Sequence, residues 1–163
     1  MTVRLFVPVL AAAAWLCTGC GRTHTISTGD GKVTVTEKGK EGAASMTFTG
    51  KSGEKVTMDI NSGKLPGDYP ADAPVYKDAK ITLSQTVSEK NGRNLVMETG
   101  DAADKIAAFY KTGLESNGWK IEGTVAMGEL NMITAAKGTR QFVVQITNSG
   151  DRRSIMQTLA DKQ

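Results

Sequence analysis

Residues 101–119 read DAADKIAAFYKTGLESNGW, and this stretch decides the fold. Ile106, Phe109, Tyr110 and Leu114 recur at helical spacing as one apolar stripe, widened by Ala102, Ala103 and Ala107. That is the pattern of a helix with one face buried. Asp101 is placed to cap it, Asp104 follows three residues on, and both carboxylates sit at the positive end of the helix dipole. Gly118 ends the helix in the left-handed conformation that glycine adopts cheaply. Such a stripe needs a surface to cover, and both flanks supply strands.

Upstream, Lys80 to Ser88 alternates with Ile81, Leu83 and Val87 on one side, and Asn91-Gly92 makes a hairpin signal before Leu95 and Met97. Downstream, Trp119, Ile121, Val125 and Met127 alternate with Lys120, Glu122 and Thr124. Met132 to Ala136 offers a further strand, Phe142, Val144 and Ile146 alternate with glutamine and threonine, and Ile155 to Leu159 closes the chain. The expected order is β-β-α-β-β-β with room for one extra strand. This is an α+β fold, an antiparallel sheet with one face covered by a packed helix. Phe109-Tyr110, Leu114 and Gly118-Trp119 resemble small helix-on-sheet domains of bacterial envelope lipoproteins. The likeness implies a fold and no activity.

Residues 23–61 are rich in Thr, Gly and Lys, with short alternating stretches HTIST, KVTVT, SMTFT and KVTMDI. Alternation puts Val33, Val35, Met46, Phe48, Val56, Met58 and Ile60 on one face, with threonine and lysine opposite. Gly29-Asp30-Gly31 and Gly50-Lys51-Ser52-Gly53 have hairpin chemistry. The expectation is a small Thr/Gly-rich β-meander or spacer with too few core candidates to be stable alone. Residues 62–79, SGKLPGDYPADAPVYKDA, carry Pro66, Pro70 and Pro74 and read as a linker. Asp68, Asp72 and Asp78 lack the spacing and bend glycine of a compact calcium loop, so a solvated turn is expected.

At the other end, Arg4 precedes the apolar run LFVPVLAAAAWL, Leu5 to Leu16, which has the layout of a signal-peptide core and falls short of a membrane span. The sequence Leu16-Cys17-Thr18-Gly19-Cys20 resembles the lipobox of bacterial lipoproteins, with Gly19 as the small residue and Cys17 where leucine is usual. The resemblance implies lipid (palmitate) on Cys20, a mature chain beginning there, and a membrane-anchored place in the bacterial cell envelope. Gly21 rather than aspartate after Cys20 implies the periplasmic face of the outer membrane if the cell is Gram-negative. The expected division is 1–19 signal peptide, 20–61 anchored meander or spacer, 62–79 linker and 80–160 helix-on-sheet domain.

With 20 basic and 17 acidic residues, scattered, the chain has neither a nucleic-acid footprint nor a polybasic patch. Cys17 leaves with the leader, so no disulfide is expected if Cys20 carries lipid. His24, the only histidine, lacks the converging partners of a zinc or nucleophilic site. Gly50-Lys51-Ser52 ends a phosphate-loop pattern, but Ser45 stands where the first glycine belongs and a strand follows where a helix is needed. Glu98, Asp101 and Asp104 lie together around the helix start, where capping explains the two aspartates. The sheet face opposite the helix is expected to be polar, carrying Thr82, Ser84, Thr86, Lys120, Glu122, Thr124, Gln141 and Gln145, and without the aromatics that stack nucleic-acid bases.

The function expected is therefore a non-catalytic, lipid-anchored binding or structural module, with Cys20 as its site residue and no catalytic, metal or cofactor-binding residue. Its partners are the membrane through Cys20 and an envelope protein or glycan. An accessory subunit of an outer-membrane assembly or transport complex is the alternative, and a carboxylate-based envelope hydrolase is a third.

Overall fold

The computed structural model describes residues 22–38 and 42–162. The leader, Cys17 and Cys20 lie outside the described residues. Before the helix come β1 (Thr23–Thr28), β2 (Gly31–Lys38), β3 (Ala43–Gly50), β4 (Lys55–Ile60), β5 (Lys80–Val87) and β6 (Gly92–Thr99). Helix α1 (Ala103–Ser116) leads to β7 (Lys120–Met127), β8 (Leu130–Lys137), β9 (Arg140–Ser149) and β10 (Arg152–Asp161). All ten strands join one antiparallel sheet, ordered β1-β2-β3-β4-β5-β6-β10-β9-β8-β7.

This corrects the expected α+β fold. There is no small meander set beside a helix-on-sheet domain, because β4 pairs directly with β5 from Val56↔Val87 to Ile60↔Leu83. The molecule is dominated by the sheet, and its one α-helix packs on β7, β8 and β9 at one end. The helix itself starts differently from its sequence reading. Ala102 is the N-cap residue and no side chain caps the helix. Asp101 accepts hydrogen bonds from Tyr76 Oη at 2.6 Å and Lys105 Nζ at 3.0 Å instead. At the other end Gly118 has φ +76°, and Trp119 N bonds back to Leu114 O at 2.9 Å.

The two sheet faces also differ from strict alternation, because two bulges shift the register. One lies between Ile81 and Leu83, the other between Ile121 and Gly123. An extra residue reverses the facing of everything beyond it. Ser84 therefore sits opposite Leu95, on the helix side with Ile81 and Met97, and is buried. Leu83 moves to the outer face opposite Val96. Thr124 likewise joins buried Ile133 on the helix side, while Val125 and Met127 turn outward. The polar outer face expected from the sequence is thus corrected: of its residues Ser84, Thr86 and Thr124 belong to the helix side.

The outer face is mainly apolar. One cross-strand row runs Ile26, Val33, Phe48, Val56, Val87. A second begins His24, Val35, Met46, Met58 and continues through Gln85 and Asn94 to Gly123. A third begins at the rim with Glu37, then runs Ala44, Ile60, Leu83, Val96, Met156 and continues through Gln145 and Met132 to Val125. On the helix side the same four N-terminal strands present the threonine row Thr25, Thr34, Thr47, Thr57, which extends to Thr86 on β5.

The core lies between α1 and β5–β10. Ile106, Tyr110 and Leu114 are its helical members, facing Ile133, Phe142 and Ile155, all fully buried. Residues 62–79, read as a linker, cross the helix side of the sheet and add Ala73 and Tyr76 to the core. Asn61 N donates to Thr82 O at 2.7 Å where this segment leaves the sheet.

Candidate functional site

Between α1 and residues 63–81 lies a cleft of about 810 Å³. Its walls are apolar, with Leu65, Tyr69, Pro74, Tyr76, Ile81 and Phe109 prominent, and Lys64, Lys77 and Lys80 contribute the basic groups. Size and lining suit a small-molecule ligand. The space directly between helix and sheet is filled by core side chains, so the cleft opens on the flank of α1.

One wall of the cleft is built from the proline-rich segment. Pro66 and Pro70 each open a turn, with Tyr69 N donating to Pro66 O and Ala73 N to Pro70 O, both at 3.1 Å, and three anchors tie the segment down. The first is Asp72, whose carboxylate accepts from Lys137 Nζ at 2.7 Å and from Arg140 Nη1 and Nη2 at 2.9 and 2.6 Å. The Arg140 guanidinium, hydrogen-bonded to it, holds the Asp72 carboxyl well below the usual carboxylate range, with Lys137 adding to the effect. Trp119 Nε1 donates to Asp72 O at 2.7 Å, and Arg140 stacks 4.9 Å above the centroid of the Trp119 ring. A second anchor is Asp68, which accepts from the Arg93 guanidinium.

The third anchor is a buried polar chain. Tyr110 Oη donates to Gln157 Oε1 at 2.7 Å, and the Gln157 amide donates to Tyr69 Oη and to Pro74 O. Burial pushes the phenols of Tyr110 and Tyr69 upward, so both stay neutral donors and acceptors. Gln157 is 1 % exposed and faces the helix side within β10. It thus joins helix, sheet and cleft wall at one point.

The cleft mouth meets the start of α1. Tyr76 packs edge-on against Phe109, centroids 5.1 Å apart, and donates to Asp101. Burial raises the Tyr76 phenol, and the neighbouring Asp101 raises it further. Asp101 is lowered by the hydrogen bond from Tyr76 and by Lys105. A lowered carboxyl is a permanent anion near neutrality, which suits a structural contact rather than a proton donor.

The sequence candidates are dispersed. Glu98 projects from the outer face, opposite Lys80 and Ser154, and pairs with Arg152 at 3.7 Å. Asp101 is occupied as above, and Asp104 lies on the other flank of α1 beside Thr124 and Asn131. Asp68, Asp72 and Asp78 share no cation: Asp68 pairs with Arg93, Asp72 with Lys137 and Arg140, and Asp78 with Lys105 at 3.9 Å. Among the described residues no three His, Cys, Asp or Glu side chains gather as a metal site. Gly50 to Gly53 form the β3–β4 hairpin turn, closed by Gly50 N to Glu54 O at 2.9 Å, and His24 is an exposed residue of the edge strand β1. Sequence reasoning named Ile81 and Phe109 only as buried-face residues and Pro70 and Pro74 only as linker, and it pointed to no cleft. The signal available was two tyrosines, Tyr69 and Tyr76, in a segment otherwise read as solvated.

Among the described residues no helix is long and apolar enough to cross a membrane. No curated protein and no solved structure matches the chain at a significant level. A family model described as START domain-like matches residues 81–155, a little under half of the chain, so this segment, from β5 into β10 and including α1, is similar to that family.

Proposed function

We propose that this chain is a non-catalytic binding module whose cleft takes an elongated apolar molecule ending in an anionic group. The carrying observation is the cleft itself, apolar along Leu65, Tyr69, Ile81 and Phe109 and bordered by three lysines with no acidic residue in its lining. The likeness of residues 81–155 to START domain-like sequences supports the reading, since such domains generally bind ligands. We further propose that the chain is exported and held in a bacterial envelope by lipid on Cys20. The apolar leader and the Thr18-Gly19-Cys20 sequence support that part.

Calorimetric titration with dodecanoate and with dodecyltrimethylammonium tests the cleft. Saturable dodecanoate binding is expected, at least about tenfold tighter than the cation, a difference of about 1.4 kcal/mol. The Lys64→Glu, Lys77→Glu, Lys80→Glu triple variant should lose the preference, because the three exposed lysines are its source. No saturable binding, or equal affinity for both amphiphiles, would sink the proposal. For the anchor, labelled palmitate should enter the wild type and not Cys20→Ser, and equal labelling of both would remove Cys20 as the lipid site.

A further inference from the structure

The helix and the cleft wall both lie on one side of the sheet, and nothing in the described chain covers the other. Of the six large apolar residues exposed among the described residues, five stand on this outer face: Ile26, Met46, Phe48, Met127 and Met156. Five of the chain's seven methionines are there too, Met58 and Met132 being the others. Ile26 is 62 % and Met127 68 % exposed, at the two opposite edge strands, so the apolar character runs the whole width of the sheet.

We propose that this face packs against the same face of a second copy, forming a two-sheet sandwich dimer. Three observations select that occupant. The first is area. The three rows, the third taken from Ala44, cross four, nine and seven inter-strand spacings of about 4.8 Å, and with about 7 Å between rows each copy offers about 650 Å². Stable interfaces bury about 600 to 1,000 Å² per partner, so the rows alone reach the lower part of that range. The second is charge. From Ile26 to Val87 along the first row, and from Ala44 to Val125 along the third, no Asp, Glu, Lys or Arg occurs, and the middle row from His24 to Gly123 has none either. Two such faces meet without burying an unpaired ion.

The third observation separates a protein partner from a bilayer. A membrane-docking face gains from lysine and arginine near lipid phosphates and from tryptophan and tyrosine at the interface. All three rows lack these four residues. Of the polar members, Asn94 Nδ2 donates to Gln85 Oε1 at 2.9 Å, so part of their hydrogen-bonding capacity is met within the face. Sheets of matching twist stack at about 10 Å with their apolar faces interleaved, and flexible methionines suit such a seam. The dimer does not depend on the cleft or its ligand.

The full chain, purified from membranes in mild detergent, is measured by native mass spectrometry and sedimentation. A dimer is expected. Phe48→Lys with Met58→Lys should weaken it at least ~100-fold, because each lysine would be buried without a partner. Thr47→Lys with Thr57→Lys, on the same strands but the helix side, should leave it intact. In parallel, a photo-crosslinking residue at Met156 should give a covalent homodimer and one at Thr47 should not. This second arm decides if the lysine variant fails to fold. A monomeric wild type, a dimer that survives the outer-face lysines with native circular dichroism, or crosslinking from Met156 to lipid alone would overturn the proposal.

Discussion

Asp72 does more for this fold than its place in a proline-rich loop suggests. One carboxylate takes three charge-assisted hydrogen bonds, from Lys137 and both Arg140 nitrogens, and its own carbonyl receives Trp119. Because its folded value lies below the ordinary carboxylate range, Asp72 adds stability at every pH above that range and loses it as pH falls through its folded value. Asp72→Asn should therefore lower stability near pH 7 by about 2 kcal/mol. It should also flatten the acid side of the stability profile below about pH 4, where the wild type gives up the stability that the variant never had. Urea melts of both proteins at pH 7 and pH 3 check this. An equal gap at the two pH values would show that the ion cluster carries no linkage. Gln157 belongs to the same scale. A buried glutamine in a strand reads as an interruption, yet here it meets two tyrosine hydroxyls that come from the helix and the loop.

At the level of elements, periodicity read correctly wherever strands were regular and failed where they were not. The stripe Ile106, Tyr110, Leu114 is the buried face of α1, and the Val33-to-Ile60 set shares one face through β2, β3 and β4. The facing of Leu83, Ser84 and Val125 was misread because a bulge is set by pairing with a neighbour, and nothing local at Thr82 or Glu122 announces one. The cleft was illegible for a related reason: its wall is irregular backbone held by partners 25 to 88 residues away. Helix and wall lie close at Gly113, where an added Cβ would come within 3.1 Å of Pro74 Cβ. Gly113→Leu should push the wall outward and fill the cleft from the helix side. Dodecanoate affinity should fall at least about tenfold. The helix gains about 1 kcal/mol of propensity, which offsets part of the strain at Pro74. Calorimetry alongside a thermal melt separates these effects. Unchanged dodecanoate binding would place the ligand elsewhere.

Taken as a whole, the molecule spreads its stability unevenly along a continuous sheet. All sixteen buried apolar residues of the core lie between Ala73 and Leu159, and none comes from β1–β4. Those four strands are held by ladder hydrogen bonds, by threonine hydroxyl contacts such as Thr23 to Thr36 at 3.2 Å, and by the outer-face rows. Isolated hairpins of this kind are marginal in water. Residues 61–162, beginning where Asn61 bonds to Thr82, should then fold alone with the core and cleft complete, whereas 22–60 should not. Cutting there frees the long edge of β5, so the fragment needs a solubilising partner or low concentration to stay dispersed. Its melt should remain cooperative with a midpoint within about 8 °C of the full chain, since few buried contacts are lost. It should also retain dodecanoate binding, because the cleft lining starts at Gly63. Residues 22–60 should show no cooperative transition by circular dichroism. A non-cooperative 61–162 fragment would mean that β1–β4 supply more than edge protection, and that β4 pairing is part of what holds β5 and the cleft wall in place.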